Sequence, residues 1–174
     1  MSQAPDVRRA AALASRCLEK LEMHTLPVRP LEILRCCRHT AVYTYQQAAE
    51  HMNMEEDAFE RRYGHADAFT IRGSTPEGER AYIVCYRAGG HPSRQNFTLA
   101  HELGHMVLGH QGQTIWEETE ADCFAQHLLC PERALKTLQE AGEVTVNSLA
   151  RACFISKTAA KNILAQQNFF EKNF

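Results

Sequence analysis

The chain lacks the features that would assign it to a membrane, a disulfide scaffold or a nucleic-acid surface. No apolar stretch approaches the ~20 residues of a membrane span. The apolar segment near the start, Ala10 to Ala14, is short, is followed by Arg16 and Glu19, and has no secretory layout. No CxxC pair occurs, the seven cysteines are odd in number, and Cys36 and Cys37 are adjacent, which fits reduced thiols better than a disulfide framework. There is no long run of one charge, and a formal net charge of −2 with a pI near 6.5 argues against a strongly basic face. Internal repeats and low-complexity segments are also missing. A cytoplasmic location is the expectation.

At 174 residues and 44% hydrophobic composition, the chain can bury one sizeable core and is short for two ordinary domains. One domain is expected, with N-terminal helices over 1–64, a sheet and two helices over 65–131, and C-terminal helices over 132–174. Asp6 can cap a helix through Leu13, Cys17, Leu18 and Leu21, and Pro27 and Pro30 restart the chain into a helix through Ile33 and Leu34. Tyr45 to Met52 and Glu55 to Tyr63 read as short helices. Ala68 to Arg72 and Arg80 to Arg87 then flank a Pro- and Gly-containing turn as a hairpin, with Tyr82 and Tyr86 either reaching a cleft or packing on the strand.

The segment Phe97-Thr98-Leu99-Ala100-His101-Glu102-Leu103-Gly104-His105 carries the most information. Residues four apart share a face of a helix, so His101 and His105 can address one metal ion. Glu102 sits beside them, where it can take a proton from a metal-bound water. This is the HExxH arrangement of zinc metalloproteases. Ser93 offers an N-cap, Leu99, Leu103, Met106 and Leu108 supply apolar positions, and Gly109 stands where a helix ends.

A catalytic zinc takes a third protein ligand. His110 is nearby, but the metzincin spacing HExxHxxGxxH is not met, and His110 reads as a surface residue beyond the helix end. The stretch Thr114 to Pro131 fits better. Thr114 and Glu117 make a capping-box pattern, Pro131 closes the helix, and Phe124, Leu128 and Leu129 can enter the core. On it Glu118 and Asp122 share a face, a spacing suited to one ligating carboxylate and one that orients a histidine. Glu117 and Glu120 read as solvated acids at a helix start. Cys123 points away from that face and reads as a packing residue.

Together, FTLAHELGHMVLGH and the following ExEADxFAxxLLxP resemble the ImmA/IrrE family of metallopeptidases. The resemblance implies an α+β, zincin-like domain with Zn2+ held by His101, His105 and Glu118, Glu102 as general base, and Asp122 where the family usually has asparagine. Cys130 replaces a usual methionine. It also implies a protein substrate, commonly a helix-turn-helix repressor. In zincin-like folds the small sheet lies beside the cleft, where an edge strand can bind an extended peptide. The other reading is a noncatalytic regulator or antitoxin-like partner with a structural zinc; an intact Glu102 argues against it, because a structural site needs no base.

After Pro131 a helix through Leu135 and Leu138 ends at Gly142. Val144 to Phe170 reads as two helices separated by Cys153-Phe154-Ile155, with Ser156 capping the second. The pair vaguely resembles a helix-turn-helix. Phe154 fills the turn position where glycine is common, and only Lys157 and Lys161 offer phosphate contacts, so direct DNA binding is not expected.

Overall fold

The computed structural model describes residues 4–64, 66–112 and 114–173. Asp6 caps the first helix by accepting the Arg9 N–H at 2.9 Å, and α1 runs over Val7–Lys20 with Ala10, Ala14 and Leu18 buried. Pro30 occupies the first turn of α2, Pro30–Cys36, where its missing N–H leaves no bond unmade. A strand the sequence reading did not anticipate follows, β1 over Thr40–Thr44. It leads directly into α3, Tyr45–His51, through a Thr44–Gln47 capping box, and α4 spans Glu56–Tyr63.

The expected hairpin forms from β2, Ala68–Ser74, and β3, Arg80–Tyr86, paired antiparallel. Because β1 pairs parallel to β3, the sheet order is β1-β3-β2 and β2 is an edge strand. Register separates the two faces. Val42, Val84 and Ala68 join the main core, whereas Tyr43, Cys85 and Phe69 join a second cluster around Tyr45 and Phe59 beneath α3 and α4. Tyr86 is 7% exposed and packs in the main core, so of the two tyrosines only Tyr82 reaches the cleft described below.

Helix α5 spans Pro92–Leu108. His91, not Ser93, is its N-cap: the His91 Nδ1 accepts the Ser93 N–H at 3.3 Å, and Pro92, preset in φ, takes the first helical position. Gly109 ends the helix in the left-handed region at φ 73°. Helix α6, Ile115–Leu129, starts from the Thr114–Glu117 capping box, and Glu117 also accepts the N–H groups of Gln111 and Gly112 at 2.8 and 3.2 Å, tightening the turn between the helices. Gly104 lets α6 press closely on α5, since a Cβ there would lie 3.1 Å from Phe124 Cδ1 and 3.2 Å from the Ala121 carbonyl oxygen. That close approach accounts for a glycine in a helix interior, where it costs about 1 kcal/mol relative to alanine.

Helices α7, Glu132–Glu140, α8, Val146–Cys153, and α9, Lys157–Asn173, complete the α+β domain. Ser156 caps α9 by accepting the Ala159 N–H. One continuous core includes Ala10, Val84, Leu103, Phe124, Leu149 and Ile163, uniting the N-terminal helix, the sheet, the α5–α6 pair and the tail. The cysteines are all free thiols. No helix among the described residues is long and apolar enough to cross a membrane.

Candidate metal centre

The i to i+4 spacing on α5 brings His101 Nε2 and His105 Nε2 to 2.9 Å of each other. Glu118, one turn into α6, closes the group. Its Oε2 lies 3.3 Å from His101 Nε2 and its Oε1 3.5 Å from His105 Nε2. Among the described residues, His101, His105 and Glu118 are the set of His, Cys, Asp and Glu side chains whose ligand atoms converge in this way. The separations bracket the ~3.3 Å expected between neighbouring ligands of a tetrahedral ion with bonds of about 2.0–2.1 Å.

Hydrogen bonding tests whether this donor set fits a cation. Asp122 Oδ1 lies 2.8 Å from His101 Nδ1, and a carboxylate can only accept, so the Nδ1 of His101 donates. A neutral His101 then turns its Nε2 lone pair toward His105 and Glu118. Electron-rich atoms converging at this range are held by a shared proton or a shared cation, and the donor set of two imidazoles and a carboxylate suits a metal ion. Burial acts against a proton on His101, but the bond to Asp122 and the charges of Asp122, Glu102 and Glu118 outweigh it and raise its pKa. Burial, together with His101 and His110, pushes His105 down to about 4, keeping it neutral at pH 7.

Glu102 is 8% exposed and faces the same space. The Thr70 hydroxyl on β2 donates to its Oε2 at 2.6 Å. Burial raises its pKa, and Glu118 adds to the rise, against lowering contributions from Thr70 and His101. The group therefore holds a proton more readily than an ordinary glutamate. A cleft of about 340 Å³ opens over these side chains, with Thr70, Arg72, Tyr82, Phe97 and Met106 among its walls.

One acid and one histidine lie elsewhere than the sequence suggested. His110 is not a surface residue; its side chain is 6% exposed, with Nδ1 2.9 Å from His105 Nδ1 and Nε2 3.0 Å from Glu120 Oε2. Gly109 turns the chain back after α5, which carries His110 under the histidine pair rather than out to water. Glu120 is correspondingly not a solvated helix-start acid, for its side chain is 14% exposed and its Oε1 accepts the Asp6 N–H at 2.7 Å. Thr70 belongs to no motif and reaches the site only through the position of β2. Asp122 has its carboxylate on His101 yet remains 61% exposed, and Cys123 donates its thiol to the Val7 carbonyl oxygen at 3.3 Å.

No curated protein matches this chain. A solved structure described as a Mycobacterium tuberculosis transcriptional regulator superposes with a TM-score of 0.55 at 15% identity, over 88% of this chain and 45% of that one. The likeness is one of fold, and the chain spans less than half of that protein's length. The profile of the IrrE N-terminal-like domain, Peptidase_M78, matches residues 54–164, a segment that holds the sheet hairpin, both histidines, Glu102 and Glu118, and the chain belongs to this metallopeptidase family.

Proposed function

We propose that the chain is a zinc-dependent endopeptidase in which His101, His105 and Glu118 hold the ion and Glu102 is the general base. The observation that carries this reading is the convergence of two imidazoles and a carboxylate beside a buried glutamate at the floor of an open cleft. A zinc ion held by these three residues would supply Lewis acidity, acidifying the attacking water and polarising the scissile carbonyl.

The protein's own groups account for the rest. Glu102 accepts the proton of the attacking water and returns it to the leaving amine, and a pKa raised by burial suits both transfers. Thr70 occupies one oxygen of that carboxylate and restrains its rotation. Asp122 holds His101 by its Nδ1, fixing ring orientation and tautomer. Arg72 and Tyr82, cross-strand partners on the cleft wall, are the side chains available to stabilise a developing oxyanion. The free edge of β2 borders the same cleft and offers main-chain hydrogen bonds to an extended peptide.

The substrate we infer is a cytosolic protein, a helix-turn-helix repressor whose loss switches genes on. The noncatalytic alternative would leave a desolvated Glu102 at the cleft floor without a task.

The deciding experiment co-expresses the chain with a candidate helix-turn-helix repressor from the same cell and follows the repressor's length. Wild type should shorten it, and chelation should stop the cleavage. Glu102→Gln should retain zinc and fold while losing roughly a hundredfold or more in rate, the usual worth of a general base. Cleavage by the variant at the wild-type rate would remove Glu102 from this role.

A further inference from the structure

The two histidines are supported differently. His101 meets a carboxylate directly, whereas His105 meets another imidazole, His110, which in turn meets Glu120. Glu120 is held from a second direction by the Asp6 N–H, 114 residues away in sequence. Its partner His110 is fixed by its own backbone, which follows the left-handed Gly109 and donates its N–H to the His105 carbonyl oxygen at 3.1 Å.

With His110 neutral, the donor and acceptor roles along this row follow from the carboxylate at its end. A carboxylate only accepts, so His110 Nε2 donates to Glu120. In a neutral ring the other nitrogen is then an acceptor, so His110 Nδ1 takes the proton of His105 Nδ1, 2.9 Å away. His105 Nε2 is left with a lone pair aimed at His101 Nε2 and Glu118. We propose that His110 and Glu120 form a buried relay that keeps the proton of His105 on Nδ1, so that its Nε2 stays open as a metal ligand. They are positioning residues, and the proposal builds on the zinc-peptidase reading above. Helix α1 belongs to the device although it precedes the family match at residue 54, because the Asp6 N–H prevents Glu120 from swinging away.

The test uses the full chain labelled with 15N-histidine. Long-range 1H–15N spectra of the metal-free protein at neutral pH report which nitrogen of His105 carries the proton, and chelator competition reports zinc affinity. Wild type should show Nδ1–H. His110→Ala should give a mixture of tautomers and roughly ten- to a hundredfold weaker zinc binding, the usual effect of losing the partner of a ligand histidine. His110→Asn, whose Oδ1 can replace Nδ1 as the acceptor, should recover most of both readouts, which a purely space-filling role would not produce. Glu120→Gln should disturb the His105 tautomer in the same sense as His110→Ala. An Nε2–H form of His105 in wild type, or an unchanged tautomer and zinc affinity in His110→Ala, would overturn the relay. Should His110→Ala fail to fold, the wild-type spectrum and Glu120→Gln still decide. Wild type that binds no zinc would remove the peptidase reading alone, because the His105 proton position is read without metal.

Discussion

The α5–α6 pair and the α8–α9 pair are both helices joined by a short turn, and they are built to opposite ends. At α5–α6 the contact is narrowed by Gly104, and the buried residues include Glu102 and His110. At α8–α9 the interior holds Leu149, Cys153, Ala160 and Ile163, with the hydroxyl of Ser148 accepting the Thr145 N–H in the cap of α8. Burying ionisable groups costs stability unless each is hydrogen-bonded, and the first pair accepts that cost with a partner for every one of them. The second pair takes the ordinary route of apolar burial. Polar groups at the metal centre should therefore govern metal binding, and apolar groups in the tail should govern folding.

That contrast can be broken most decisively at Glu118. A four-ligand zinc site is worth roughly 10–16 kcal/mol, so Glu118→Ala should lose about 3 kcal/mol of binding, over a hundredfold in zinc affinity, with little change in thermal stability of the metal-free chain. Chelator competition measures it; an affinity equal to wild type would move the third ligand elsewhere. In the tail, Leu149→Ala should cost about 2–5 kcal/mol of folding stability in denaturant titration while zinc affinity in the folded chain stays unchanged. A parallel loss of zinc affinity would mean that the two regions are not separable.

Asp122→Ala sits between these. Its carboxylate is largely exposed, so the fold should survive, and zinc binding should weaken roughly ten- to a hundredfold. The smallest effect belongs to Glu117, whose carboxylate accepts N–H groups of Thr114, Gln111 and Gly112 and is thereby held down to about 2, against an ordinary 4.5. A depressed pKa contributes stability above the unfolded value and loses it as pH falls through the folded one. Glu117→Gln should therefore be less stable than wild type at neutral pH and match it near pH 2, by a small margin since water screens so open a group. Acid titration followed by circular dichroism would show a pH-independent difference if the loop bonds are unimportant.

What the sequence made legible follows from how local each feature is. HExxH on a helix, the Thr114–Glu117 box, Gly109 as a helix stop and the Ala68–Arg87 hairpin are all decided within a few residues, and each lies where the pattern put it. Strand β1 escapes a local reading because its five half-buried residues acquire meaning only by pairing parallel with β3, with partners 42 residues on. The N-cap shifted from Ser93 to His91 because Pro92 outweighed a favoured side chain. His110, Glu120 and Thr70 could not have been found by spacing. A left-handed glycine, the packing of α1 on α6, and the position of an edge strand bring them to the site, and none of these is a property of the residues themselves.

The bond between Asp6 and Glu120 has a consequence for synthesis. Helix α1 leaves the ribosome long before α6 exists, so Ala10, Ala14 and Leu18 travel as an unpaired apolar stripe until more than a hundred further residues have been made. A nascent chain halted before α6 can neither cover that stripe nor close the row from Asp6 to His105. Assembly of the candidate site is thus timed by translation, and a ribosome stalled midway carries a client for chaperones rather than a finished fold.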